Sequence, residues 1–300
     1  MAVSISSGYD STAAAALAAP LGCRRALTFR EGKPVHGSAN LTDSGAASAT
    51  VLGMRVESFD RLAYLARTDP PEAEFLASGM SGEDVVMATM EQSLKRTLLL
   101  TGSESFRLKG NPYKPGLHRG DLSATSLTEF RLRLDFLHVP ILFMGASEQP
   151  SLTRIIESEE MRPYVVAGRY DKPIQRRLVE DAGIPRGSFA TVKRRASAAI
   201  HSEGLAAMAA PSVESLRAFA AAEGRNVETP KRFHVRRWHR FILRHQRSLH
   251  ISRFVAGLEA RRRALTHLDP VFGSLVLRWA VGVIRPRYEA HNNMSSSDLG

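Results

Sequence analysis

The sequence predicts an α/β protein, a mainly parallel sheet with helices on both faces, followed by a helical, basic C-terminal extension. Three observations carry this. Short β-prone apolar runs alternate with alanine-rich helical ones over the first hundred residues. The turn after the first apolar run is made of small residues and opens a helix. Beyond about residue 200 the alternation stops and arginine accumulates.

Residues 2–6 read as a strand, and 12–19 as an alanine-rich helix closed by Pro20 and Gly22. A second strand is expected at 26–29, a helix at 46–52 and a third strand at 54–57. Residues 83–94 have helical spacing, and the threonine- and leucine-rich 97–101 suit another strand. Parallel sheets of this kind bind ligands at the carboxyl ends of their strands. Further on, 212–222 is an alanine-rich helix ended by Gly224, and Pro230 marks a break. The reading is therefore a domain over 1–200, a helical basic extension over 201–290 and a flexible tail over 291–300.

Composition narrows the function. Hydrophobic residues make up 43% and charged ones 24%, which is ordinary for a globular chain. The single cysteine, Cys23, excludes a disulfide scaffold, a four-cysteine zinc site and any mechanism needing a cysteine pair. Its expected place is a small buried space after the first helix. The N-terminus lacks the basic segment and apolar run of a signal peptide. The longest apolar stretch, 271–284, is too short to span a bilayer and carries Arg278 at its centre. A soluble cytoplasmic protein is expected.

Chemistry concentrates after the first strand, in Ser6-Ser7-Gly8-Tyr9-Asp10-Ser11-Thr12. Small residues let the backbone approach a ligand, and Gly8 is expected to take a positive φ. The helix start supplies unpaired N–H groups and the positive end of a dipole, which favour phosphate. Ser6, Ser7 and Ser11 add hydroxyls. Asp10 would repel a bare phosphate, which points to Mg²⁺ between them. The same residues would also serve as a plain helix cap.

Residues 6–11 resemble the SGGxDS pyrophosphate loop of the ATP-pyrophosphatase enzymes, with Ser7 replacing one glycine. The resemblance implies an adenine nucleotide alpha hydrolase-like fold and cleavage of ATP between its α and β phosphates. An adenylated substrate forms, and a nucleophile such as ammonia then displaces AMP. One cysteine disfavours the zinc-dependent nitrile synthase and the thiolases of that superfamily. Two later segments are similar to the asparagine synthetase branch. Residues 119–131, ending Thr128-Glu129-Phe130-Arg131, with the following Phe136-Leu137-His138-Val139, match its DRxSMAxSxExRxPFLDH run with one extra residue before Glu129. Lys172-Pro173-Ile174-Gln175-Arg176, with Val192-Lys193-Arg194, matches its KxxLR…RxK stretch. By this resemblance Ser6, Ser7, Gly8 and Ser11 cradle pyrophosphate, Asp10 holds Mg²⁺, Lys172 offsets phosphate charge, and Arg131 with Glu129 braces the site. The expected cofactors are ATP and Mg²⁺, the expected substrate is a small carboxylate, and the expected enzyme is a C–N ligase.

Two departures stand against it. The family's second loop, SGxGxDE, corresponds to Thr101-Gly102-Ser103-Glu104-Ser105-Phe106. Thr101 and Gly102 fit and would line the opposite side of the site. Phe106 replaces the acidic ligand, and it offers Mg²⁺ no oxygen; Glu104 is the substitute two positions away. The family's glutaminase half starts at a nucleophilic cysteine, whereas here Met1-Ala2 leads straight into the phosphate loop. Nitrogen is therefore expected from free ammonia, an amine or a separate partner subunit. The rival reading is a catalytically degenerate nucleotide-binding or scaffold subunit.

Residues 231–263 carry eleven Lys and Arg against one acidic residue, Glu259. On a helix, Val235, Trp238, Ile242 and Leu249 share one face, and Arg236, Arg237, Arg240, Arg244 and Arg247 lie opposite. Three roles compete: a solvated helix packed on the catalytic domain, a peripheral contact with anionic lipid aided by 271–284, and nucleic-acid binding. Nucleic acid ranks last, because no recognised motif accompanies the charge. His234, His239, His245 and His250 are spaced too widely along a helix to share one metal ion.

Overall fold

The computed structural model describes residues 1–34, 41–68, 72–78, 85–102, 128–142, 148–166, 171–190, 194–198, 200–227 and 270–297. Its strands, in chain order, are β1 (Ala2–Ser4), β2 (Arg25–Phe29), β3 (Glu31–Pro34), β4 (Leu41–Thr42), β5 (Arg55–Phe59), β6 (Leu98–Thr101), β7 (Leu137–Pro140) and β8 (Arg194–Arg195). The main sheet has five strands in the order β5-β2-β1-β6-β7, and every pairing in it is parallel. A smaller antiparallel sheet joins β4, β3 and β8.

Register fixes which side chains share a face. Val3 lies beside Ala26 and Leu100, and Ala2 beside Leu99. Because side chains alternate along a strand, Val3, Ile5, Ala26, Val56, Leu98, Leu100 and Val139 point one way. These residues form one cluster with Ala14, Ala15, Ala18 and Ala49. Ala2, Leu27, Phe29 and Leu99 point the other way and are also buried. Both faces are therefore covered, as the α/β reading requires.

Helix α1 (Tyr9–Ala18) owes its existence to its alanines, which lose no side-chain entropy and let it lie close on the sheet. Cys23 is buried in the same cluster and fills space there. The next helix, α2 (Ala46–Val51), supplies Ala49. Residues 83–94 depart from the helix their spacing predicts. Val85–Met90 winds as a 3-10 helix and only Glu91–Leu94 makes an α turn. Ser93 and Arg25 both bind Glu57 there, which ties this segment to the sheet. Later come α3 (Thr128–Leu134), α4 (Pro173–Asp181), α5 (Ala210–Ala222) and α6 (Pro270–Ser297).

The chain divides into two units, one of Met1–Tyr64 with Val86–Ser197, the other of Leu65–Val85 with Ala198–Gly300. Within the second, one face of the apolar stretch 271–284 is used for packing. Phe272, Leu275, Val276, Trp279, Ala280 and Ile284 of α6 are buried. Trp279 donates to Ser215 Oγ at 3.0 Å, and Arg278 pairs with Glu223 at 2.8 Å. The helix also continues through Ser297, into the segment expected to be a flexible tail. Among the described residues no helix is long and apolar enough to cross a membrane. The basic stretch 231–263 lies outside the described residues, as do Glu104 and Phe106.

Candidate functional site

Counted along the chain, the parallel strands lie third, second, first, fourth, fifth across the sheet. The order reverses between β1 and β6, and the carboxyl ends of two such strands frame the usual ligand crevice of a doubly wound sheet. Residues 6–11 leave β1 at this edge, and Gly102 follows β6 at the same edge.

The loop is tied to itself. Ser11 Oγ accepts from Ser6 N at 3.0 Å and lies 2.7 Å from Ser6 Oγ, which accepts from Gly8 N at 3.1 Å. Thr12 Oγ1 lies 2.7 Å from the Gly8 carbonyl. Each hydroxyl carries one proton, so the Ser6–Ser11 contact uses one and leaves the other to donate outward. Ser7 Oγ is spent on Asp43 Oδ1 at 2.6 Å, and Ser7 N on the Asp43 carbonyl at 3.1 Å. Among the described residues no hydrogen bond reaches the backbone N–H of Asp10 or Ser11, which stand in the first turn of α1.

Gly8 corrects one expectation. Its φ is −82° and ψ 161°, extended backbone open to any residue. The chain reaches the helix from an extended strand end, so no left-handed step is needed. Gly8 is the N-cap, and no side chain caps α1. Asp10 and Ser11 are therefore not its caps.

Asp10 is instead paired across the fold. Lys172, the N-cap of α4, donates its Nζ to Asp10 Oδ2, and Gln175 Nε2 lies 3.4 Å from Oδ1. The Lys172 side chain is 11% exposed and that of Asp10 28%, so the cation is the more enclosed partner. Pro173 at the first helical position starts α4, and Val179, Ile184 and Phe189 pack it on Tyr9 and Ala13 of α1. Arg176 donates to the Tyr9 hydroxyl, with its guanidinium 5.0 Å from the Tyr9 ring centre and 5.6 Å from that of Phe189. Burial pushes the Tyr9 phenol above its ordinary pKa, against the opposing charge of Arg176.

The structure thus brings Ser6, Ser7, Gly8, Asp10, Ser11, Gly102 and Lys172 to one edge. Thr101 ends β6 there, but its hydroxyl lies 2.9 Å from His138 Nε2, on the sheet face away from α1. Arg131 sits half-buried on α3, and no hydrogen bond or ion pair joins it to residues 6–11 or Lys172 among the described residues. Glu129 lies on the same helix, its side chain outside the description. Asp43, Gln175 and Tyr9 carry contacts that the sequence did not assign. Gln175 stands where the resembled motif has leucine.

As a resident Mg²⁺ site the described residues do not fit. The Asp10 carboxylate has a partner at each oxygen, and Asp43 is engaged by Ser7. No group of three metal-ligating side chains occurs among the described residues. An all-protein Mg²⁺ site needs near-octahedral oxygen ligands. No protein-family model, characterised protein or solved structure matches the chain.

Proposed function

We propose that the chain is an adenine nucleotide alpha hydrolase-like protein that binds ATP at the edge between β1 and β6 and transfers AMP to a carboxylate. Pyrophosphate leaves as the adenylate forms, and AMP leaves when ammonia or an amine attacks it. One observation carries the reading. Asp10 and Lys172 lie 162 positions apart, each in a segment resembling the same superfamily, and they pair at the topological switch point.

In this reading the first turn of α1 and the spare serine proton face the phosphates, and Lys172 offsets their charge. Metal arrives as the Mg²⁺ complex of ATP, as part of the substrate. Arg131 and Glu129 keep their proposed bracing role through α3. Such catalysis is mainly positioning and electrostatics, which N–H donors and a placed cation supply. Outside this site, residues 231–263 serve association, docking on the chain itself or on an anionic surface.

A degenerate binding subunit is the second reading. The engagement of Ser7 Oγ by Asp43 and of Ser6 Oγ with Ser11 Oγ, and the Phe106 departure, favour it. Incubation with α-labelled ATP, Mg²⁺, ammonium and a panel of small carboxylates separates the two. Carboxylate-dependent release of labelled AMP supports the ligase; bound ATP without AMP release supports the subunit.

A further inference from the structure

We infer that Asp171 receives the nitrogen donor of the proposed reaction as a cation, ammonium or a small protonated amine, and takes the proton that frees its lone pair. The inference rests on the ligase reading above and names the acceptor for its second substrate.

Asp171 directly precedes Lys172, the N-cap of α4. It is 8% exposed with its Oδ1 enclosed, and among the described residues no group donates to its carboxylate or pairs with it. Donors stand close in the chain but are engaged elsewhere. Lys172 and Gln175 turn to Asp10, and Arg176 turns to the Tyr9 hydroxyl and to Glu180. Burial raises the Tyr9 phenol, Arg176 opposes it and the Asp171 charge adds to it, so Asp171 lies close to the residue that joins Gly8 to Asp10. Buried charges are normally paired. A carboxylate left single beside the proposed site is therefore a ready partner for a cationic ligand.

The enclosure narrows which cation. A divalent ion needs several oxygens, and no three-ligand group exists among the described residues. A ribose hydroxyl is neutral and would leave the carboxylate charge unbalanced. Ammonium is small, carries a single charge and needs no fixed coordination shell. Its hydrogen bond to a carboxylate is charge-assisted, roughly twice as strong as a neutral one. It must also lose a proton before it can attack, and a carboxylate within hydrogen-bond reach serves as the base. Ammonium gives one proton to Asp171, and the lone pair so freed forms a C–N bond at the adenylate carbonyl. The C–O bond to AMP breaks, AMP keeps the bonding pair, and a second proton passes from the new amide nitrogen to its phosphate. Asp171 then returns its proton to solvent. Lys172, the next residue, offsets phosphate charge in the same reading, so the nitrogen donor and the adenylate meet at neighbouring side chains.

Thermal unfolding of the full-length wild type without nucleotide tests the binding step, in ammonium, potassium and tetramethylammonium chloride at equal ionic strength. A ligand of the native state raises Tm. Ammonium is expected to raise it above both other salts, and Asp171→Asn to remove the difference. Equal Tm in ammonium and potassium overturns the inference, and this arm depends on no variant folding well. A difference that persists in folded Asp171→Asn overturns it too. Carboxylate-dependent AMP release then tests the proton step. Asp171→Asn is expected to raise the KM for ammonium about tenfold or more, the size of a lost hydrogen bond to a charged group, with the KM for ATP little changed. The deficit should narrow as pH rises and free ammonia replaces ammonium; an equal deficit at every pH overturns the proton-accepting role. Ammonium stabilisation lost in Asp171→Asn, with no AMP released by the wild type for any carboxylate, contradicts the ligase reading and leaves the ammonium site standing.

Discussion

Gly102 and the start of α1 are in such close approach that a Cβ on Gly102 would lie 2.3 Å from the carbonyl carbon and oxygen of Asp10. It would also lie 2.5 Å from Ser11 N. All three are backbone atoms, so no side chain can swing away to make room. Gly102→Ala is expected to push α1 off the end of β6, costing about 1–3 kcal/mol as other overpacking does. Urea unfolding measures the loss, and MgATP affinity should fall with it. A fully stable Gly102→Ala would mean that the two strand ends are not packed as described.

Gly8 behaves oppositely. With φ at −82°, alanine meets no backbone strain there. Gly8 is the N-cap of α1, so Gly8→Ala should cost about 1 kcal/mol, the penalty of alanine at a cap position, with no added backbone strain. Any loss of nucleotide binding in that variant then reports crowding of the ligand itself, read by parallel urea and ATP titrations.

Asp43 is the hidden support of the loop. It is 4% exposed, and its carboxylate accepts from Ser7 Oγ at 2.6 Å. Asp43→Ala removes a hydrogen bond to a charged group, worth about 1.5–3 kcal/mol, and leaves Ser7 without this anchor. Stability and MgATP affinity should both drop. Ser7→Ala should reproduce the drop in affinity, and the double variant should be little worse than either alone.

The fold and half of the site were legible, and the reasons differ by residue. Val3 and Ile5, then small residues, then five alanines within α1 announce strand, turn and helix from local sequence alone. Lys172 was legible through motif resemblance, because nothing nearby in sequence explains a lysine at that position. Asp43 was not. Its role depends on β3 pairing with β4, with Gly32 opposite Leu41, and on the bridge between Ser6 and Ser44. A Cβ on Gly32 would sit 2.6 Å from Asp43 Oδ2, so that glycine belongs to the same non-local arrangement. The misreading of Gly8 has a physical cause as well. Glycine permits positive φ but does not impose it, and an extended strand end needs none. A one-sided apolar helix such as 271–284 suits a lipid surface and a protein core equally, so its sequence alone does not choose between them. Trp279, Leu275, Val276 and Ala280 are buried, while Leu277 and Val281 of the same helix are exposed.

Glu74 sets the acid–base behaviour of the second unit. It is fully buried and accepts from Ala209 N at 3.0 Å, just before α5. Desolvation pushes its carboxyl up to about 7, against the pull of the Ala209 N–H, Ser212 and Arg67. In the unfolded chain a glutamate titrates at about 4.3. Between those values the folded protein holds a proton that the unfolded chain has lost, so stability falls as pH rises through this window and levels off above it. Denaturant unfolding at about pH 5 and about pH 8 should show this decline on the order of 3 kcal/mol, and Glu74→Gln should flatten it. An equal decline in the variant would assign the effect to another group.

The central claim is that residues 6–11 and Lys172 form one nucleotide site. Isothermal titration of MgATP into the full chain tests it most directly, with Ser11→Ala and Lys172→Gln beside the wild type. One saturable site in the wild type, weakened about tenfold or more in each variant, is the predicted result; a lost hydrogen bond to a charged group reaches that size. No heat of binding in the wild type, or equal affinity in all three proteins, would contradict it.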